Sequence, residues 1–160
     1  MSNSATRRRG QVAIEVLFIT AVILTGVLLV VTPYLNENTN TSLIAYVKSS
    51  ASHACSYLNS GVTVNSQPYS LLNAIIVKSN YTSKNFMVSS ITSSESDDTI
   101  TINVQVRYSG RIDLDNDVMA LAFKAFLIRD LLDHTDARLE GTSLYYGDKK
   151  VVINVQVVGP

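Results

Sequence analysis

The chain has 160 residues, no formal net charge, 46% hydrophobic residues and 16% charged residues. This length allows one modest domain plus a helix, and the low, balanced charge argues against a nucleic-acid-binding surface. The single cysteine, Cys55, excludes an internal disulfide, so a domain of this kind depends on its hydrophobic core.

The N-terminal part combines a basic cluster with a long apolar run. Arg7, Arg8 and Arg9 precede the run, which extends from Val12 to Thr32. Its 21 residues are about 31 Å long as a helix, which matches the hydrocarbon core of a bilayer. The arginines predict a cytoplasmic N-terminus, with the chain beyond the run outside the cell. Glu15 interrupts the run, where a charge costs about 3 kcal/mol on insertion scales, so its presence needs a reason.

The order of Arg9, Gly10, Gln11 and Glu15 before the apolar helix resembles the class III signal peptides of archaeal type IV pilins. The matching part of the chain is residues 7–32, and Ala13 stands where the euryarchaeal motif usually has serine. The resemblance implies that a prepilin peptidase cuts after Gly10 on the cytoplasmic side. Residues 1–10 are then a cleaved leader.

The same resemblance implies that the N-terminal helix assembles the protein. Cleavage gives Gln11 an α-ammonium group, and Glu15 becomes its counter-charge in a neighbouring copy, because a buried charge is tolerable when it is paired. The implied partners are further copies in a filament, the prepilin peptidase, a pilus assembly ATPase and a membrane platform protein. The membrane holds the subunit before assembly. The alternative is a signal-anchor helix with Glu15 at its interfacial end.

Beyond the apolar run, Pro33 predicts a kink. Apolar residues then recur at helical spacing, which predicts an amphipathic continuation over residues 42–59. The stripe consists of Leu43, Val47, Ala51, Ala54, Cys55 and Leu58. We predict Cys55 as a buried small side chain, and His53, which lies off the stripe, as exposed.

These patterns divide the chain into three parts. They are the leader (residues 1–10), an N-terminal helix (residues 11–60, with 11–32 as its apolar assembly or transmembrane part) and a head (residues 61–160). Asn40 and Asn80 each begin an N-glycosylation acceptor pattern, Asn40-Thr41-Ser42 and Asn80-Tyr81-Thr82. Both are candidate glycosylation sites if the head lies outside the cell.

Alternating residues in the head predict two β-hairpins. The first pairs residues 86–91 with the clearly alternating strand 99–108, and the second pairs residues 143–146 with 150–158. The pentapeptide Ile-Asn-Val-Gln-Val occurs at 102–106 and again at 153–157, which we interpret as shared strand chemistry. For the apolar stretch 69–77, we favour a strand in its second half.

A helix is predicted from Asp117, its N-cap, to His134. Its apolar surface is broader than one sheet face needs, which leaves two arrangements. In the first arrangement, the helix is sandwiched between the sheet and the 43–58 helix, with Phe123 and Phe126 buried. In the second, part of the set Ala122, Phe126, Leu127 and Leu131 is exposed for contact with another subunit. We favour the first arrangement.

No catalytic, metal or cofactor site is predicted. Asp113, Asp115 and Asp117 have the spacing of the first half of a calcium loop, but the second half is missing and helix capping explains them. His53 and His134 lie far apart in the sequence, and no nucleophile motif accompanies them.

The sequence therefore predicts an α+β protein with a long N-terminal helix and an antiparallel sheet into which one helix is inserted. As a function, it predicts a non-enzymatic structural subunit of an archaeal type IV pilus-like surface filament, whose head is displayed for adhesion or surface interaction. Its precursor crosses the membrane once with a cytoplasmic N-terminus. Two alternatives remain: a minor pilin-like component of a filament or secretion machine, and a single-span extracytoplasmic binding module.

Overall fold

The computed structural model describes the backbone of residues 3–160 and the side chains of residues 14–31 and 40–160. The chain divides into two compact units, Met1–Thr39 and Asn40–Pro160; we call the second the folded unit. Only the backbone is described at residues 9–11 and at Pro33. The predicted cleavage site and the predicted kink therefore stay predictions.

Helix α1 spans Asn3–Ser60 and contributes residues to both units. In the folded unit, every member of the predicted apolar stripe is buried, from Leu43 to Leu58. Cys55 is 4% exposed, whereas His53 is exposed. The amphipathic continuation of the helix is thus confirmed, because one face of this part of α1 supplies core side chains.

The sheet of the folded unit has five strands in the order β1-β2-β5-β4-β3. Their bounds are β1 Met87–Ser96, β2 Thr99–Arg107, β3 Ala137–Glu140, β4 Ser143–Tyr146 and β5 Lys149–Val158. Both predicted hairpins are present, since β1 pairs with β2 and β4 pairs with β5 in antiparallel fashion. Strand β3, which the sequence did not predict, pairs with β4.

The predicted antiparallel sheet is wrong in one pairing, because β2 and β5 run parallel and the sheet is mixed. The chain leaves the end of β2, passes through helix α3 (Asn116–His134) and the β3–β4 hairpin, and returns to β2's starting end. A helical crossover of this kind joins parallel neighbours, whereas a tight hairpin joins antiparallel ones.

The predicted strand in the second half of residues 69–77 is also wrong. A 3-10 helix covers Tyr69–Leu72 and helix α2 covers Asn73–Lys78. Leu72, Ile75 and Ile76 are buried. Their i, i+3, i+4 spacing is helical, and it is the signal that the strand interpretation overlooked.

Helix α3 begins one residue earlier than predicted, and its N-cap is Asp115 in place of Asp117. The Asp115 side chain accepts a hydrogen bond of 2.8 Å from the Asp117 backbone N–H, which is how an N-cap satisfies a free helix donor. Phe123, Phe126, Leu127 and Leu131 are all fully buried, which confirms the burial expected of the sandwich arrangement.

One face of the sheet is apolar and the other is polar. Strand β2 buries Ile100, Ile102, Val104 and Val106 beneath the helices. The two copies of Ile-Asn-Val-Gln-Val lie side by side in β2 and β5 in identical register. On the opposite face, the Asn154 amide therefore donates to Asn103 Oδ1 at 3.0 Å, and the Gln105 amide donates to Gln156 Oε1 at 3.2 Å.

Candidate functional site

The apolar segment, Ile14–Val31, is the largest exposed apolar surface among the described residues. It has a mean hydropathy of 2.7 and is long and apolar enough to cross a membrane. Its large side chains are between 44% (Val31) and 73% (Leu29) exposed. Fully covering one such side chain contributes roughly 1.5–3 kcal/mol, so the segment requires lipid or another apolar surface around it.

Two threonine hydroxyls within the apolar segment are satisfied by the helix itself. The Thr20 hydroxyl donates to the Val16 carbonyl and the Thr25 hydroxyl donates to the Ala21 carbonyl, each at 2.8 Å. Such bonds to the i−4 carbonyl let threonine sit in an apolar environment without an unsatisfied donor. At Gly26, an added Cβ would meet no atom within 4 Å.

Glu15 lies near the start of the apolar segment and is exposed. Residues 9–11 precede it in the same helix, α1. Four residues make slightly more than one helical turn, so a new amino terminus at Gln11 would lie about 6 Å along the axis from Glu15. The helix thus brings the charge of Glu15 close to the predicted processing site.

The two candidate glycosylation sites have different surroundings. Asn40 is half-buried, and its Nδ2 donates to the Glu95 carboxylate, which also pairs with the Lys149 ammonium. The Lys149 hydrogen bond lowers the pKa of the Glu95 carboxyl. Asn80 is exposed, in the turn that follows α2.

A polar cluster around Asp130 joins α1 to α3. Asp130 is 9% exposed, and its carboxylate accepts hydrogen bonds from the Ser50 hydroxyl at 2.5 Å and the Tyr46 hydroxyl at 3.1 Å. His134 Nδ1 lies 3.2 Å from the same carboxylate. Burial, and then the nearby Asp130 charge, raise the pKa of Tyr46 to about 12. A carboxylate surrounded by donors in this way tolerates burial.

Sequence reasoning missed this cluster. In the sequence, His53 and His134 lie far apart, and no motif distinguishes Asp130. Both histidines in fact line one cavity of about 400 Å³, which is also lined by Ser50 and Asp130. The Ser50 hydroxyl donates its hydrogen bond to the Asp130 carboxylate and not to a histidine. Ser50 therefore lacks the histidine base that activates a nucleophilic serine. The cluster therefore supports a structural role.

A groove of about 620 Å³ runs between α1 and the edge strand β1. Its lining includes Lys48, Ser52 and Cys55 from α1, together with Val88 and Ile91 from β1. Burial raises the pKa of the Cys55 thiol to about 12, so the thiolate that would react is disfavoured. Cys55 in this groove is therefore a structural thiol.

Comparison of the chain with protein-family models, curated proteins and solved structures gave no match. Among the residues with described side chains, no group of three or more His, Cys, Asp or Glu is placed to hold a metal ion. The surface with the clearest physical requirement is the apolar segment.

Proposed function

We propose that this protein is a structural subunit of an archaeal type IV pilus-like surface filament. The observation that carries the proposal is the exposed apolar segment, which follows Arg9, Gly10 and Gln11 and contains Glu15 near its start. In the proposal, lipid covers the segment before assembly and the helices of other copies cover it afterwards. The subunit has no catalytic role.

Glu15 distinguishes a polymerising helix from a simple anchor. A lipid anchor gains nothing from a carboxylate in its first turns, where the charge is costly. In a bundle of processed helices, the α-ammonium group of Gln11 from one copy pairs with Glu15 of a neighbour, and this pairing makes the charge tolerable. Burial of the apolar side chains supplies the cohesion, and the ion pair fixes the register between helices.

The partition of the chain supports the same proposal. The folded unit, Asn40–Pro160, has its own core, so it does not need the apolar segment to bury its hydrophobic residues. After export, the folded unit is displayed for adhesion while the helix polymerises. The prepilin peptidase, the assembly ATPase and the platform protein are the partners that this route requires.

The length of the apolar segment also fits a single-span anchor for an extracytoplasmic binding module. In that second candidate function, the helix stays in lipid and no filament forms. A minor component of a filament or secretion machine would instead be present in filaments at a small fraction of the bulk subunit. Quantitative mass spectrometry of sheared surface filaments separates the three.

Processing provides the direct test. Gly10→Val places a branched side chain at the predicted cut, so we expect the variant to retain residues 1–10 and to remain in the membrane without filaments. Intact-mass measurement reads the cleavage. Gly26→Ala, which changes another glycine of the same helix where a Cβ meets nothing within 4 Å, is the matched control and should be cut normally. Normal cleavage of Gly10→Val would exclude this peptidase class.

A further inference from the structure

We propose that Asn80 is the N-glycan acceptor of this chain and that Asn40 is not modified. Both begin an acceptor pattern, and the sequence does not distinguish them. The surroundings of the two asparagines in the folded unit distinguish them. The inference rests on the proposed function, because it requires the folded unit to lie outside the cytoplasm.

The Asn80 side chain makes no hydrogen bond among the described residues, and it lies on an ordered turn. Backbone hydrogen bonds hold the turn, from Asn80 N–H to the Val77 carbonyl at 3.1 Å and from Tyr81 N–H to the Ile76 carbonyl at 3.0 Å. Asn80 itself is exposed with a φ of 55°, a left-handed conformation that asparagine tolerates well. Because the backbone maintains the turn, the Asn80 side chain can carry a sugar without loss of a structural contact.

Asn40 has the opposite surroundings. Its Nδ2, the atom that would receive a sugar, donates to Glu95, and its Oδ1 is buried with no hydrogen-bond partner among the described residues. Asn40 and Ser42 also lie in helix α1, where residues i and i+2 are about 200° apart around the axis. A transferase that must contact both the amide and the hydroxyl would have to unwind this part of the helix.

The position of each pattern in the chain favours the same choice. Asn40 lies nine positions after Val31, the last residue of the apolar segment. A membrane-embedded transferase acts above the bilayer surface. An acceptor so few residues after a membrane span lies too close to that surface to enter the transferase's active site. Asn80 follows the apolar segment by 49 positions and is free of this restriction.

The reaction transfers an oligosaccharide from a polyprenyl-phosphate-linked donor. Asn80 Nδ2 forms a bond to the anomeric carbon of the first sugar, and the bond from that carbon to the phosphate oxygen breaks. The lipid phosphate leaves with the electron pair, and the amide proton passes to a base of the transferase. No oxidation or reduction takes place.

The experiment measures the intact mass of the full chain, expressed in its native host, for the wild type and four variants. Asn80→Asp keeps a residue that tolerates the left-handed backbone but removes the acceptor amide, and Thr82→Ala removes the hydroxyl of the pattern. Both should lose the whole glycan mass. Asn40→Gln should retain it, as should Asn85→Gln, a control at another exposed asparagine with a positive φ of 50°.

Protease treatment of whole cells separates this inference from the proposed function. If the chain is cut after Gly10 and the folded unit is digested from outside, yet no glycan mass is found, the inference is wrong and the proposed function stands. Loss of the glycan from Asn40→Gln also overturns it. An uncut chain with a folded unit protected from external protease contradicts both proposals.

Discussion

At the residue scale, Asp130 is the buried charge that joins two helices. Its carboxylate accepts hydrogen bonds from Tyr46 and Ser50 of α1, and His134 Nδ1 of α3 lies 3.2 Å from it. Removing one member of such a buried hydrogen-bonded set destabilises the fold by more than the set's net contribution to stability. The remaining polar groups are then buried away from water without a hydrogen-bond partner.

Asp130→Ala should therefore lower the free energy of unfolding by about 2–4 kcal/mol. Denaturant unfolding of the full chain in detergent measures it. Asp133→Ala, which removes an exposed carboxylate paired with Arg129 at 3.0 Å on the same helix, should cost about 0.5 kcal/mol or less. Equal losses in the two variants would show that burial of Asp130 has no energetic consequence.

Cys55 gives a pH-dependent prediction. Its folded pKa is raised by burial from 9.0 to about 12, so the folded state favours the protonated thiol. The resulting stabilisation is fully present below pH 9 and is lost as the pH rises towards 12. Relative to Cys55→Ala, the wild type should lose up to about 1.4 kcal/mol of stability per pH unit over that interval.

Unfolding free energies of the two proteins at pH 8 and pH 11 are the measurement. Tyr46, whose pKa is raised from 10.0 to about 12, titrates in both proteins, so the difference between them isolates the thiol. A difference that does not change between the two pH values would contradict the burial of Cys55.

At the element scale, helix α3 packs one side against the core and leaves another side in solvent. Phe123 is fully buried and its ring centre lies 6.2 Å from that of Phe86, whereas Leu121, two residues earlier, is 66% exposed. The helix therefore offers a matched pair of large apolar side chains with opposite surroundings.

Phe123→Ala should destabilise the protein by about 3–5 kcal/mol, because it removes a buried ring and leaves a cavity. Leu121→Ala should change stability by about 0.5 kcal/mol or less. Thermal or denaturant unfolding compares them. A large loss for Leu121→Ala would instead indicate that another subunit covers this side of α3 in the sample.

At the scale of the whole molecule, the chain joins a unit with a complete core to an apolar segment with none. The folded unit buries its own hydrophobic residues, whereas the apolar segment requires lipid or another apolar surface around it. Substitution of Glu15 distinguishes a helix covered by lipid from a helix covered by other copies of the chain.

Glu15→Val makes the apolar segment more hydrophobic, so membrane insertion should be retained, while filament yield should fall sharply because the partner of the new amino terminus is gone. Electron microscopy and immunoblotting of sheared filaments measure the yield. Glu140→Gln, which removes an exposed carboxylate from the folded unit, should assemble normally. Wild-type filament yield from Glu15→Val would show that the charge is incidental to assembly.

Elements whose hydrophobic pattern has a single interpretation were predictable from the amino-acid order alone. The apolar segment is a long apolar run of membrane length. The buried stripe of α1 and the alternating strands β2 and β5 each repeat one period over many residues, so burial of one face requires one conformation. Each hairpin is local, because a short turn joins its strands. The class III resemblance, with Gly10, Gln11 and Glu15, also came from sequence and stays a prediction.

Only the tertiary structure decided how these elements combine. The parallel pairing of β2 with β5 depends on the path of the chain through α3 and the β3–β4 hairpin, which no local pattern specifies. Asp130 has a polar side chain that belongs on a helix surface, and it becomes buried because Tyr46 and Ser50, 84 and 80 residues away, supply its donors. Contacts between residues so distant in sequence exist only once the helices have packed.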